Sequence, residues 1–429
     1  MSAMSCTPER LKYLTLLAEG YPTVQSLCTE IVHLEAILAL PKGTEHFMSD
    51  IHGEYEAFCH ILNNCSGVIR EKVNMLFSGT MTGREISGLC TLIYYPEEKL
   101  KRLKKQGRLT KEWYRSTLQN LIALSKLLSK YTRSKVRKAM PEAYAFLLDE
   151  LLHAQADEDD NQVAYHDRLL ESLIEVGEGD DFIVEVSTLI KRLAVDRLHV
   201  VGDIFDRGSR ADSVLELLEH HHSVDIEWGN HDILWMGAAA GSKACIATVV
   251  RNNLKYNNTK ILENSYGISL RNLALFAEKI YPNEEPMKAA LKAISVMLFK
   301  LEGQVILRNP DYNMTDKLLL HKVNVEKQTV EIDGTEHAIK EEAFPTVNFD
   351  SGDIEDVYQL SEEEEQVMEG LRMAFVNSIR LRQHIEFLYQ KGSMYRIFNG
   401  NLLYHGCVPL DESGNLEGVA FGKKRYHGR

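Results

Sequence analysis

Apolar residues recur at helical spacing through residues 24–40, where Val24, Leu27, Cys28, Ile31, Leu34 and Leu38 share one face and Pro41-Lys42-Gly43 predicts the stop. A short strand, His46 to Ser49, runs into Asp50-Ile51-His52-Gly53 before a new helical pattern opens near Glu54. The same succession returns twice. Leu198 to Val201 reads as a buried strand, followed by Gly202-Asp203-Ile204-Phe205-Asp206-Arg207-Gly208 and a helix from about Ser209 to His222. Val224 to Trp228 then leads into Gly229-Asn230-His231-Asp232 and more helix. Three units of strand, polar turn and helix predict an α/β core with its chemistry at the strand ends.

Between the first and second units, residues 70–190 keep mostly helical spacing, as at Trp113, Leu118, Leu121, Ile122 and Leu128, and predict an added helical subdomain. The domain reading is therefore 1–69 for the helix and first unit of the core, 70–190 for the insertion, and 191–429 for the rest of the core. That last part carries a helical and hairpin insertion over about residues 260–390. Within it, Leu318-Leu319-Leu320 and Thr329 to Ile332 lean toward strand, and Asp333-Gly334 is a hairpin turn. A helix is predicted from about Ser361 to Gln390, opened by a capping box of Ser361 with Glu364. Tyr395 to Phe398, Asn399-Gly400 and Asn401 to Tyr404 form a second hairpin, which delivers His405-Gly406 to the end of a strand.

Composition narrows the class. The 429 residues are 44% hydrophobic and 26% charged, so collagenous and largely disordered readings are excluded. No run approaches the roughly 18 apolar residues of a membrane span, and the first thirty residues have no signal-peptide core, so the expected location is cytoplasmic, with no membrane partner. Seven cysteines without a Cys-x-x-Cys pair suit reduced, mostly buried thiols. The net charge of −13 argues against a nucleic-acid partner. The exception is Lys99 to Lys138, with fourteen Lys or Arg and one acid, Glu112; a solvated helical face is the first reading and a phosphate-rich ligand or partner surface the second.

The chemistry lies in the three turns. Asp50-x-His52-Gly53, Gly202-Asp203-x-x-Asp206-Arg207-Gly208 and Gly229-Asn230-His231 each place oxygen and nitrogen donors directly after a strand. Any one alone reads as a helix cap or a turn. Together they supply ligands suited to Mn²⁺, Mg²⁺, Fe or Zn²⁺, with no thiolate needed, and a carboxylate that bridges two ions. Such a pair neutralises a phosphate ester and acidifies a water. A histidine held by a carboxylate is the natural proton donor to the leaving alkoxide.

The three motifs resemble the calcineurin-like metallophosphoesterase superfamily. Tyr21-Pro22-Thr23, Leu34 to Leu38, Pro41 to Phe47, Ser49 to Phe58 and Tyr404-His405-Gly406-Cys407-Val408-Pro409 are more narrowly similar to class III, Firmicutes-type fructose-1,6-bisphosphatases. The resemblance implies a sandwich of two mixed β-sheets flanked by helices, two divalent ions with Mn²⁺ foremost, and a sugar bisphosphate substrate cleaved to fructose 6-phosphate and phosphate in gluconeogenesis. It implies Asp50 and His52 on the first metal, Asp203 bridging, and Asn230 and His405 on the second. It further implies Asp206 and His231 as the acid dyad and Arg207 as the phosphate holder. Homo-oligomerisation stays open. The family pattern also has a final metal-binding histidine in a Gly-His turn well after the position of His405. Here Arg429 lies 24 residues past His405, and the sole later histidine, His427, sits in Lys424-Arg425-Tyr426-His427-Gly428. The expectation is a chain shortened relative to the family, its second metal site one ligand short. The alternative function is a catalytically weak chain acting as a partner or regulatory subunit, or a non-functional fragment.

Overall fold

The computed structural model describes residues 7–39, 43–129, 133–153, 160–340, 344–350 and 353–427. Pro41 and Lys42 of the predicted stop lie outside them. The chain divides into two compact units, residues 1–44 with 96–193, and residues 45–95 with 194–429. The divisions thus fall at 44/45, 95/96 and 193/194 where 69/70 and 190/191 were expected. The N-terminal helices go with the helical unit, and the helices of 55–95 go with the sheet they follow.

The first unit is helical throughout its described residues. The helix Lys111–Leu128 opens at Thr110, whose hydroxyl accepts from the Trp113 amide at 3.2 Å, and buries Leu118, Leu121 and Leu124 completely. Leu148, Phe182, Ile183, Val186 and Ile190 from later helices are equally closed to solvent. Some cations of the basic stretch meet acids: Arg115 pairs with Asp167 at 3.0 Å, Arg137 with Asp149 at 2.7 Å, and Lys101 with Glu97 at 3.6 Å. Lys101, Arg115 and Arg137 are exposed, so these pairs are solvated ones.

The second unit is built on a parallel sheet of order β1-β2-β3-β7: β1 (Glu45–Met48), β2 (Arg197–Val200), β3 (Val224–Glu227) and β7 (Gly392–Ser393). Glu45 pairs with Arg197, Phe47 with His199, and His199 with Asp225. Side chains alternate across the sheet. Leu198, Val200, Val224 and Ile226 face a large apolar core shared with the helices Ala211–Glu219, Asn230–Ala239, Lys243–Lys255 and Pro286–Arg308. Glu45, Arg197, His199, Asp225 and Glu227 alternate with these on the opposite face, and His199, Asp225 and Glu227 are nonetheless buried. The remaining strands form small antiparallel sheets: β4 (Val323–Asn324), β5 (Thr329–Ile332) and β6 (Thr335–Ala338); β8 (Arg396–Phe398) with β9 (Asn401–Leu403); β10 (Val419–Phe421) with β11 (Lys424–Tyr426). An α/β architecture is present. The described residues hold one parallel sheet and three small antiparallel ones where two mixed sheets were expected.

Both Asn-Gly and Asp-Gly turns form, with positive φ at Asp333, Gly334, Asn399 and Gly400 as such two-residue hairpins require. Leu318 to Leu320 is not a strand; Leu318 and Leu320 are buried in short turns against Tyr358. The predicted helix from Ser361 is two helices, Glu362–Asn377 and Ile379–Lys391. Ser378 breaks it by taking extended ψ, and its hydroxyl donates to the Tyr266 carbonyl at 2.7 Å. The capping box of Ser361 and Glu364 is present, and the same Glu364 meets the buried Lys300 ammonium at 2.7 Å. Of the described cysteines, Cys65 and Cys90 are buried while Cys28 and Cys407 are exposed. No described helix is long and apolar enough to cross a membrane.

Glu227 is fully buried, and neither carboxylate oxygen has a hydrogen-bond partner among the described residues. Burial, with Asp225 beside it, pushes this carboxyl up to about 7 against the pull of the Arg396 guanidinium. The folded chain therefore holds the proton more tightly than the unfolded chain, and the stability this group contributes at low pH is lost as pH rises through about 7. Glu227→Gln stays neutral throughout. Its denaturant midpoint should match that of the parent near about pH 5 and exceed it by about pH 8, as read from urea unfolding at both values.

Candidate metal centre

Parallel pairing puts the C-terminal ends of β1, β2 and β3 along one edge, so their following turns meet there. Backbone bonds lock the first two turns together: Asp50 N–H donates to the Gly202 carbonyl at 3.1 Å, His52 N–H to that of Asp203 at 2.8 Å, and Gly208 N–H to that of His52 at 2.7 Å. Asp50, His52, Asp203, Asp206 and Arg207 all adopt positive φ, five of the twelve described non-glycine residues that do so. Strain of this kind, concentrated in two facing turns, points to a functional site. Close approach explains two of the motif glycines. A Cβ on Gly202 (φ +79°) would lie 2.5 Å from His405 Nδ1, and one on Gly229 would strike the Asp203 carboxylate.

Four predicted ligands converge. His52 Nε2 lies 3.7 Å from Asp50 Oδ1 and 4.0 Å from Asp203 Oδ2, and His405 Nε2 lies 3.2 Å from the same Asp203 oxygen. The ring nitrogens on the far sides fix both imidazoles, because His52 Nδ1 donates to the Phe205 carbonyl at 3.1 Å and His405 Nδ1 to that of Val201 at 2.8 Å. In the neutral rings Nε2 then carries a bare lone pair toward carboxylate oxygens. His52 Nε2 is buried and has no hydrogen-bond partner among the described residues. Lone pairs facing carboxylates in a buried setting are what a cation between them would satisfy, with the carbonyls as outer partners of the rings. Asp50, His52 and Asp203 form a cluster able to hold a metal ion. The donor set fits a divalent cation.

Beside it stands the predicted dyad. His231 Nδ1 donates to Asp206 Oδ2 at 2.6 Å. Asp206 is almost wholly buried, yet it also accepts from Trp235 Nε1 at 2.9 Å and Asn252 Nδ2 at 3.1 Å, so its charge is well solvated by the protein. The hydrogen bond to Asp206 raises the His231 imidazole above its ordinary value; burial opposes this, the Asp206 and Asp203 charges add to it, and Arg207 works against it. The His231 and His52 rings meet edge to face at 5.4 Å. Arg207 is exposed on the second turn, and Asn230 is exposed at the first residue of the helix Asn230–Ala239. His427 is exposed beside the β10–β11 hairpin, near the Leu416 carbonyl and Gly418.

The family model described as Firmicute fructose-1,6-bisphosphatase matches residues 12–429. The chain belongs to that family. A class 3 fructose-1,6-bisphosphatase of Clostridium acetobutylicum is 46% identical over 442 residues, covering 98% of this chain and 66% of that protein. Those of Clostridium novyi and Listeria monocytogenes are 47% and 46% identical, covering 98% of this chain and 65% and 66% of theirs. The chain thus spans about two thirds of the length of these curated relatives. No solved structure matches it.

In this member of the fructose-1,6-bisphosphatase family, two kinds of residue escaped sequence reasoning. Asp232 is fully buried, and its carboxylate accepts from the amides of Asp203 at 2.9 Å, Ile204 at 2.9 Å, Phe205 at 3.3 Å and Gly229 at 3.0 Å, so one side chain ties the second turn to the third. Burial pushes its carboxyl up to about 6, against the pull of these amides. Its signal was available, since it completes Gly229-Asn230-His231-Asp232. Asn252, Asn253 and Asn258 reach the second turn from the helix Lys243–Lys255 and just beyond it, at separations from Asp206 and Gly208 that no local pattern reveals. Asp232→Ala leaves four buried amides without their acceptor, and should lower unfolding free energy by about 3–5 kcal/mol in chemical denaturation while weakening metal binding.

Proposed function

We propose that this chain is a divalent-metal-dependent phosphomonoesterase that hydrolyses fructose 1,6-bisphosphate to fructose 6-phosphate and orthophosphate, a gluconeogenic reaction. The observation that carries it is the meeting of Asp50, His52, Asp203 and His405 with imidazole Nε2 atoms turned toward carboxylates, in a chain of the fructose-1,6-bisphosphatase family. The relatives are named as class 3 enzymes of that activity, which supports the substrate. In this reading the turns are those of a calcineurin-like metallophosphoesterase, and residues 96–193 of the helical unit are an insertion between its first and second motifs. Mn²⁺ is the preferred ion, and homo-oligomerisation in the cytoplasm is compatible with the assignment.

Asp50 and His52 would hold the first ion, Asp203 would serve both, and Asn230 and His405 would hold the second. When bound, such ions neutralise phosphate oxygens and lower the pKa of a water toward neutrality, as the very slow uncatalysed hydrolysis of phosphate monoesters demands. The remaining work belongs to the chain. Arg207 offers a guanidinium fork to two phosphate oxygens. Asp206 holds the His231 ring through Nδ1, which leaves Nε2 to give its proton to the departing sugar alkoxide. The hydrogen bond to Asp206 raises the affinity of His231 for that proton, which favours the donor form.

A substrate panel with Mn²⁺ tests the function. Fructose 1,6-bisphosphate should release one phosphate per sugar, with fructose 6-phosphate as a poor substrate; equal or better turnover of phosphopeptides or dinucleoside polyphosphates would transfer the site to another class of phosphoesterase. Asp203→Asn should abolish both turnover and the two-ion complement. His231→Ala should keep metal content by elemental analysis while slowing turnover by about 10²–10⁴-fold. Loss of metal in His231→Ala would show that the roles are misassigned.

A further inference from the structure

The hairpin that delivers His405 is docked mainly through charged and polar groups, onto the polar face of the parallel sheet. From β8, the Arg396 guanidinium lies 3.6 Å from Asp225 Oδ2, and Phe398 packs on the His199 ring at 5.1 Å and under the Arg197 guanidinium at 4.7 Å. From the turn and β9, Asn399 and Asn401 both donate to the Glu45 carboxylate. Three neighbouring strands therefore each supply one anchor: Glu45 from β1, His199 with Arg197 from β2, and Asp225 from β3. Asp225 is the hub. Its carboxylate is buried to 1% exposure, accepts from His199 Nδ1 at 2.6 Å and Arg197 Nε at 2.5 Å, and faces Arg396 across from both.

The apolar side chains of the hairpin do not compensate for this layer, since Tyr395, Ile397, Leu402 and Tyr404 are all exposed. Two residues after Leu403, His405 must place Nε2 at 3.2 Å from Asp203 while Nδ1 reaches the Val201 carbonyl. A short two-stranded hairpin has little stability of its own, so its position follows from what holds it.

We infer that Asp225 is a positioning residue for His405: through Arg197, His199 and Arg396 it seats the β8–β9 hairpin on the sheet and thereby sets the distance from His405 to Asp203. This rests on the proposed role of His405 as a ligand of the second ion. Removing the carboxylate charge weakens the Arg396, His199 and Arg197 contacts together, and a ligand held less firmly should cost metal affinity on the scale of about 10–100-fold known for loss of a ligand's own hydrogen-bond partner.

The test uses Asp225→Asn and Arg396→Met in the full chain, with Arg396→Lys as the conservative variant. In metal-free protein, amide hydrogen exchange over residues 396–404 should quicken by about tenfold in the first two and much less in Arg396→Lys, with the helix Pro286–Arg308 unchanged. Mn²⁺ titration should show the weaker ion bound about 10–100-fold less tightly and the tighter ion retained. Turnover should fall at low Mn²⁺ and recover at high Mn²⁺, with KM for the sugar bisphosphate unchanged. Parent-like exchange in both disruptive variants, or parent-like Mn²⁺ isotherms in both, overturns the inference. If the parent chain itself binds no second ion, the ligand role of His405 fails, and exchange alone then judges Asp225: quickened exchange supports its hold on the hairpin, and unchanged exchange overturns it.

Discussion

The Asp203 carboxylate is the constraint around which the second unit is arranged. Its Oδ2 faces His405 Nε2 at 3.2 Å and His52 Nε2 at 4.0 Å, while its Oδ1 accepts the His231 amide at 3.1 Å. The carbonyls of Phe205 and Val201 hold the two rings so that each turns its Nε2 toward the Asp203 carboxylate. Such a gathering of carboxylates and imidazole nitrogens is one that a cation would satisfy, and its electrostatics are stronger where water is excluded.

Holding Asp203 there requires a backbone that would otherwise relax. Positive φ at five non-glycine residues stores strain, of order 1–3 kcal/mol each, in the first two turns. The opposing restraint comes from below and from the side. Asp232 gathers amides of the second and third turns, and the apolar core packs Ile204, Phe205 and Trp235 beneath them, with Phe205 stacked on Trp235 at 4.5 Å. Asp206 links this core to the chemistry, since Trp235 binds one of its oxygens and His231 the other.

The two faces of the parallel sheet divide the labour. One is apolar and anchors the helices; the other carries Glu45, Arg197, His199, Asp225 and Glu227 and receives the hairpin that ends in His405. Burying so many ionisable groups costs free energy unless they pair, and here all but Glu227 find a polar or charged partner across a strand or from the hairpin. Selective pairing fixes orientation where apolar contacts would permit sliding, which suits a ligand delivered on a short hairpin.

Much of the site was legible in the residues themselves. Asp50-x-His52, Gly202-Asp203 with Asp206-Arg207-Gly208, and Gly229-Asn230-His231 each announce a turn after a strand, because donors and glycines at those spacings serve little other purpose together. The Asn399-Gly400 turn was equally plain, since only residues tolerant of positive φ close a two-residue hairpin. Less was legible where partners are distant in the chain. Arg-Leu-His-Val and Val-Asp-Ile-Glu alternate like half-exposed strands, yet His199, Asp225 and Glu227 are buried on the polar face, a fact that depends on what lands there. Ser378 splits a helix whose apolar period runs straight through it, because the Tyr266 carbonyl awaits its hydroxyl. Local pattern determined the order of strands, turns and helices and the identity of the donors; tertiary packing decided which of them meet, since ring orientation depends on carbonyls and carboxylates supplied from as far as 204 residues away in the sequence.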